Sequence, residues 1–242
     1  MKNHPPQREI SVLLPAYNEA IQIKRCIDEV EKALQSFCSS YEIIVSEDGS
    51  KDGTDKIVAD LAQSNPHLRL LHSPLRLGKG KAIKNAVNAA NGRYIAFMDV
   101  DLATDLRCLS KLYEVVKLQG GMVIGSRHIK GAAVQRQPTR TLFSLTYNIF
   151  VRMLFLDGIY DHQCGFKIMS RNTARSVLGC SRSDGYFFDT ELIVCCKRLG
   201  YRVTEVAVTW WEKNKGGSKI NPARDSIKIA LDMFRFRINR QK

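Results

Sequence analysis

Two hydrophobic periods alternate along the first half of the chain. A two-residue period marks the strand "EISVLLP", and a helical period follows from Asn18 to about Phe37. The same pair of signals recurs as the strand "YEIIVSE" with a helix from Thr54 to about Ala62. It recurs again as "LRLLHS" with the helix "GKAIKNAVNAAN", which Asn91-Gly92 ends, and as "RYIAFMD" with the helix "DLRCLSKLYEVVKLQ" before a fifth strand, "GMVIGSR". Strictly alternating strands and helices predict an α/β fold: a mostly parallel central sheet flanked by helices. Ligands of such sheets bind beyond the carboxyl ends of the strands. "PAYNE", "EDGSKDG", "DVD" and "GSR" all fall at those ends.

The second half is less regular. Residues 139–156 read as an amphipathic helix whose apolar positions are Leu142, Leu145, Ile149, Met153 and Leu156. Arg140, Ser144, Asn148 and Arg152 recur every fourth residue and share a polar stripe. A "CGFKIMS" strand, a helix across "FFDTELIVCCKRLG", a "RVTEVAVTW" strand and a basic helix from about Pro222 complete the pattern. With no repeat and no linker, residues 1–242 are expected to form a single domain.

Composition narrows the class. Of 242 residues, 44% are apolar and 25% charged, which are globular values. No apolar run reaches the roughly 18 residues of a membrane span, and "MKNHPPQREI" carries no signal-peptide core. Seven cysteines without a C-x-x-C pair read as reduced packing thiols of a cytoplasmic protein. The net charge of +13 lies almost wholly in residues 121–242. That half is expected to meet something anionic: nucleic acid, a membrane surface or a phosphorylated substrate.

The chemistry gathers at the strand ends. Asp99 and Asp101 are one residue apart where the run "YIAFM" stops, and such like charges are costly to desolvate without a cation. Alternate residues of an extended segment point the same way, so both carboxylates can face one hard cation, Mg²⁺ or Mn²⁺, completed by phosphate and water oxygens. After a sharp turn at Pro15, Tyr17 and Glu19 are offered to a base or ribose. In "SEDGSKDGT", glycines permit a tight turn, and Asp52 or Thr54 suits a helix cap. "LRLGKGKA" sets Lys79 and Lys81 among Gly78 and Gly80 ahead of a helix, a favourable place for phosphate, although the P-loop spacing is absent.

Together "PAYNE", "EDGSKDGT", "RLGKGKA" and "MDVDLAT" resemble the family 2 glycosyltransferases of GT-A (Rossmann-like) fold. The resemblance continues through "GSRHIKG", "RQPTRTLFS", "GIYDHQCGFKIMSR", "FFDTELI", "VAVTWWE" and "GGSKI". It is closest to the polyprenyl-phosphate sugar synthases, dolichyl-phosphate β-glucosyltransferases especially. Glu47 departs from the family pattern, since an Asp usually precedes "DGS", while Asp48 matches. The hydrophobic membrane segments of many relatives are not found, so attachment is expected to be peripheral.

The resemblance implies that Asp99 and Asp101 bind a divalent metal holding a nucleotide diphosphate sugar. Pro15, Tyr17, Glu19, Asp48, Lys79 and Lys219 are the other donor-binding candidates. Residues 1–126 would bind the nucleotide sugar and residues 127–242 the acceptor. Arg127, Arg140 and Ser144 would hold the phosphate of a polyprenyl or dolichyl acceptor. Because that phosphate carries its own negative charge, with a second pKa near ~6, the site needs cations more than a base. Asp101, Arg127 and Asp189 are the candidate catalytic residues. Asp189 and Glu191 act either as a base, as a carboxylate in this region does in hydroxyl-glycosylating relatives, or by positioning Arg or Lys. Cys164 reads as a packing residue; His128 is expected near the site, and Trp210 and Trp211 either at the donor or membrane edge or in the core. The expected activity is inverting transfer of one sugar, glucose from UDP favoured, at the cytoplasmic face of a membrane, with amphipathic helices on its surface. Alternatives are transfer of mannose from GDP-mannose, a hydroxyl acceptor, or a basic nucleic-acid-binding protein. No nucleic acid is expected as partner, because Arg concentrates near the strand ends rather than on an aromatic-studded basic face.

Overall fold

The computed structural model describes residues 7–185, 187–212, 229 and 232–238. Its elements run β1 (Arg8–Ala16), α1 (Ile23–Gln35), β2 (Tyr41–Asp48), α2 (Thr54–Ser64), β3 (Leu68–Ser73), α3 (Lys79–Ala89), β4 (Gly92–Phe97) and α4 (Arg107–Gln119). They continue with β5 (Met122–Ser126), β6 (Ala133–Gln135), α5 (Pro138–Phe155), β7 (Lys167–Ser170), α6 (Arg171–Cys180), α7 (Phe188–Arg198), β8 (Val203–Ala207) and β9 (Thr209–Trp211). Seven strands form one sheet in the order β3-β2-β1-β4-β7-β5-β8, and β6 pairs with β9 apart from it. All pairings within the large sheet are parallel except those of β7, which runs antiparallel between β4 and β5. The expected mostly parallel sheet flanked by helices is therefore present, and it draws strands from both sides of residue 126.

Alternation along the strands divides the core. Val12 and Leu14 of β1 face a layer containing Ile23, Ile27 and Val30 of α1, Val58 of α2 and Leu109 and Leu112 of α4. Leu13 between them faces the other layer, with Ile83 and Val87 of α3, Val177 of α6 and Leu192 of α7. Strand β4 is shielded on both sides: Tyr94 through Met98 are all buried, as an uninterrupted apolar run predicts.

Three expectations change in detail. The helix expected from Asn18 starts at Ile23, because residues 18–20 are pinned to the loop after β2. Asn18 N donates to Ser50 Oγ at 2.8 Å and Ala20 N to Asp52 Oδ2 at 3.0 Å. The strand expected over "RVTEVAVTW" is two strands, since the chain leaves β5 after Val208 and joins β6. Helix α6 was not expected; Ser170 caps it by accepting from Thr173 N at 3.1 Å. Lys219 and the expected start of the basic helix at Pro222 lie outside the described residues, while residues 232–238 are helical. The carboxyl ends of the parallel strands share one edge with Lys167, the first residue of β7, which pairs with Phe97 and Ile124.

Candidate active site

At that edge an open cleft is lined by Met98, Asp99, Asp101, Ala103, Thr104, Arg127, Gln163, Gly165, Phe166 and Trp210. Strand β4 ends at Phe97, and the chain then turns through Leu102 at φ 52, a backbone conformation uncommon for a non-glycine residue. Asp101 Oδ1 braces that turn by accepting from Ala103 N at 3.0 Å. The opposite wall comes from the loop entering β7. Gly165 lies so close that a Cβ there would stand 2.0 Å from Asp99 Oδ2. Only hydrogen fits.

Asp99 meets a cation of the protein itself. Lys79 Nζ lies 2.8 Å from Asp99 Oδ1 and 3.0 Å from Asp189 Oδ2, while Lys167 Nζ lies 2.7 Å from Asp189 Oδ1. Burial disfavours the ammonium of Lys79, but Asp189 and Asp99 outweigh it and raise its pKa. Burial likewise opposes the Asp189 carboxylate, and Lys167 and Lys79 outweigh that to hold it below its usual range. The two acids of α7 have separate tasks. Glu191 is buried and accepts from Ser181 Oγ at 2.6 Å, Arg182 N at 2.9 Å and Ser183 N at 2.8 Å. It fastens the loop that supports the start of α3, where Gly80 N donates to Asp184 O at 3.0 Å.

The donor candidates occupy the ends of β1 and β2. Pro15 pairs with Ser46 across the two strands. The guanidinium of Arg76 stacks 4.0 Å from the centroid of the Tyr17 ring, and Glu19 N donates to Thr54 Oγ1 at 2.9 Å. Asp48 accepts from Leu77 N at 2.7 Å and Gly78 N at 2.8 Å. It thereby fixes the loop that carries Lys79. The divergent Glu47 turns inward, pairing with His72 Nδ1 at 2.6 Å.

The acceptor candidates come together in part. Arg127 Nε and Nη2 form a fork on Asp161 at 2.7 and 2.8 Å, and Arg127 N donates to the same carboxylate at 2.9 Å. Burial disfavours the charge on both groups, yet mutual attraction raises the pKa of Arg127 and lowers that of Asp161. Arg127 also lines the cleft. Ser144 is buried on α5 with its Oγ 3.1 Å from His128 Nε2, and burial lowers the pKa of that imidazole. Arg140 lies one turn earlier on α5; its side chain is outside what the structure describes. Trp210 borders the cleft with Arg127 and Arg136 at 5.7 and 5.4 Å from its ring centroid. Cys164 is buried, and its thiol is pushed up to about 12 by burial, which leaves it a packing group. Asp161, Gly165 and Lys167 were not singled out from the sequence, although all three fall in "DHQCGFK".

Helix α5 is two-sided in an unusual sense. Its polar stripe faces inward, where Asn148 Oδ1 accepts from the buried His162 N at 2.9 Å. Its predicted apolar stripe faces out: Leu142 is 66% exposed, Met153 64% and Leu156 82%, with Phe143 beside them at 70%. The helical residues 232–238 pack along it through Met233 and Phe236, leaving Phe234 and Ile238 exposed. Among the described residues no helix is long and apolar enough to cross a membrane.

Among the described residues, no three His, Cys, Asp or Glu side chains gather to hold a metal. Asp99 and Asp101 by themselves offer two hard oxygen donors at an open cleft. That set fits a small divalent ion whose remaining positions are filled by phosphate and water.

The model of glycosyl transferase family 2 matches residues 11–178. Glycosyltransferase AglD of Haloferax volcanii is 37% identical over 230 residues, covering 94% of this chain and 36% of that protein. The dolichyl-phosphate beta-glucosyltransferase of Dictyostelium discoideum is 35% identical, covering 94% of this chain and 73% of its own length. The human protein of that name is 30% identical, covering 96% and 76%. Glucosyl-3-phosphoglycerate synthase from Mycobacterium tuberculosis, solved with Mn²⁺, UDP-glucose and phosphoglyceric acid, superposes with a TM-score of 0.70. At 20% identity, over 97% of this chain and 81% of that one, it shows a shared fold. The family match covers the strands whose ends build the cleft, and relatives at 30% identity or more match over nearly the whole chain: the chain belongs to the family 2 glycosyltransferases.

Proposed function

We propose that the protein moves one sugar, glucose from UDP-glucose, to a dolichyl or other polyprenyl phosphate at the cytoplasmic surface of a membrane, with inversion at the sugar C1. The names of its relatives support this reading. The observation that carries it is the orientation of α5. One face brings Ser144 beside His128 and the Arg127 region, and the other exposes a row of large apolar side chains. A lipid that carries a phosphate has both an apolar and an anionic part, and this helix offers a surface to each.

In this reading the 1–126 half holds the donor. Tyr17 and Glu19 face the nucleoside, with Pro15 shaping the turn. Asp48 sets the loop of Lys79, whose ammonium pairs with the diphosphate together with Lys219. Asp99 and Asp101 would hold Mg²⁺ or Mn²⁺, which supplies charge neutralisation for the departing diphosphate. The 127–242 half holds the acceptor, its phosphate gripped by Arg127, Arg140 and Ser144. A phosphate oxygen forms the new bond to C1 as the C1–oxygen bond to the diphosphate breaks on the opposite side. No protein base has to remove a proton, since a phosphate monoester is largely dianionic above pH ~6. Asp189, held between two lysines, serves as their counter-ion.

The test is transfer of radiolabelled sugar from a panel of UDP- and GDP-sugars into vesicles containing dolichyl phosphate. UDP-glucose is expected to give the most lipid-soluble label. Label from GDP-mannose alone overturns the donor assignment, and no lipid-soluble label from any donor overturns the acceptor.

A further inference from the structure

Lys167 is a fully buried cation that the transfer chemistry above leaves without a task. It begins β7 in the middle of the sheet, paired with Phe97 and Ile124, and its Nζ donates to Cys164 O and to Asp189 Oδ1. Folding alone does not call for a charge here, since a buried ion pair is often no more stabilising than apolar residues of similar volume. Its placement is informative. Lys167, Asp189, Lys79 and Asp99 form an unbroken series of alternating charges, at 2.7, 3.0 and 2.8 Å, leading from the interior to the cleft. Each inner member is held from both sides. Because Lys167 occupies one oxygen of Asp189, that carboxylate claims only part of the Lys79 charge, and the rest reaches Asp99.

We propose that Lys167 is a positioning residue for donor binding: through Asp189 it fixes the ammonium of Lys79 at the Asp99 carboxylate, where the donor diphosphate and its cation arrive. The inference rests on the donor site proposed above. Without Lys167, the full charge of Asp189 competes with the diphosphate for Lys79 and draws it back from the cleft.

The experiment is calorimetric titration of the full chain with UDP in the presence of Mn²⁺, for wild type, Lys167→Gln, Lys79→Gln and the double variant. Lys167→Gln is expected to weaken UDP binding about tenfold, or ~1.4 kcal/mol. In the Lys79→Gln background the same change is expected to have no further effect, because Lys167 acts through Lys79. A purely structural role would lower the melting temperature and weaken binding alike in both backgrounds. Unchanged affinity in Lys167→Gln, or equal losses in the two backgrounds, overturns the proposal. If Lys167→Gln does not fold, Lys167→Met, which removes the charge and keeps the volume, replaces it in the same cycle with the same expected epistasis. Absence of UDP binding by the wild type overturns the donor reading itself and the relay with it; wild-type binding with an unaffected Lys167→Gln overturns the relay alone.

Discussion

Replacing Gly165 by Ala separates the site from the fold. Gly165 has no positive φ, so its backbone accepts a Cβ without strain; the obstacle is Asp99, whose Oδ2, Cγ and Oδ1 would lie 2.0, 2.6 and 2.9 Å from that atom. An ordinary carbon–oxygen contact needs roughly 3.3 Å, so the carboxylate has to move by about 1 Å. The move is inexpensive for folding. Asp99 is the end of a short side chain, 48% exposed, that can turn about its own bonds. Function is another matter, because a reacting group misplaced by about 1 Å costs on the order of a hundredfold in rate. Gly165→Ala is therefore expected to melt within a few degrees of wild type while kcat/KM falls about a hundredfold and Mn²⁺-dependent UDP binding weakens. Thermal unfolding, calorimetry and steady-state kinetics on one preparation read all three. Wild-type kinetics and UDP affinity in Gly165→Ala would show that Asp99 does not need its observed position. A collapse of the melting temperature would show that the contact serves the fold.

Other consequences are as direct. Asp101→Asn, or chelation of the wild type, is expected to abolish transfer in folded protein, with Mg²⁺ or Mn²⁺ restoring the chelated enzyme; full activity in EDTA refutes the metal. Arg140→Ala is expected to spare UDP affinity and to lower kcat/KM for the acceptor ten- to a hundredfold, the loss of roughly 1.5–3 kcal/mol of charge-assisted bonding; acceptor-varied kinetics beside donor calorimetry decide it. Replacing Phe143 and Met153 together by Ser is expected to weaken flotation with anionic vesicles about a hundredfold, since each side chain loses on the order of 1.5 kcal/mol or more of burial; unchanged flotation removes the outward face of α5 from the account. The lowered pKa of Asp161 makes its contribution to stability complete above the usual Asp pKa of about 3.9 and lost as pH falls toward the folded-state value. In Asp161→Asn the fall of unfolding free energy with acid below about pH 4 is therefore expected to be shallower, by up to ~1.4 kcal/mol per pH unit, in denaturant titrations across that range.

Local signals carried most of the first half. The alternating periods located β1 to β5, and the polar residues at their ends converged because parallel strands put every carboxyl end on one edge. Partners were beyond such signals. The fork between Arg127 and Asp161 joins residues 34 apart, and Lys79 and Asp189 are 110 apart. No periodicity encodes these pairs, and a sequence pattern cannot say that Gly165 is small because Asp99 is beside it. Helix α5 marks another limit. The stripes of Leu142 to Leu156 and of Ser144 to Asn148 were both legible, but periodicity defines a stripe without saying which one faces in. Only His128 and the buried His162, reached from other segments, give the polar stripe an interior to face. Helix α6 had a legible cap in Ser170, masked by its immediate join to β7.

In the proposed function the acceptor brings its own negative charge and the protein supplies cations rather than a base. The most direct measurement compares two lipids that differ only in the phosphate: dolichyl phosphate and dolichol, each in identical vesicles with UDP-[¹⁴C]glucose and Mn²⁺. Label is expected in a glucosyl lipid phosphate with the β configuration from dolichyl phosphate, and none above background from dolichol. Comparable labelling of dolichol, lost in Asp189→Asn, would contradict it.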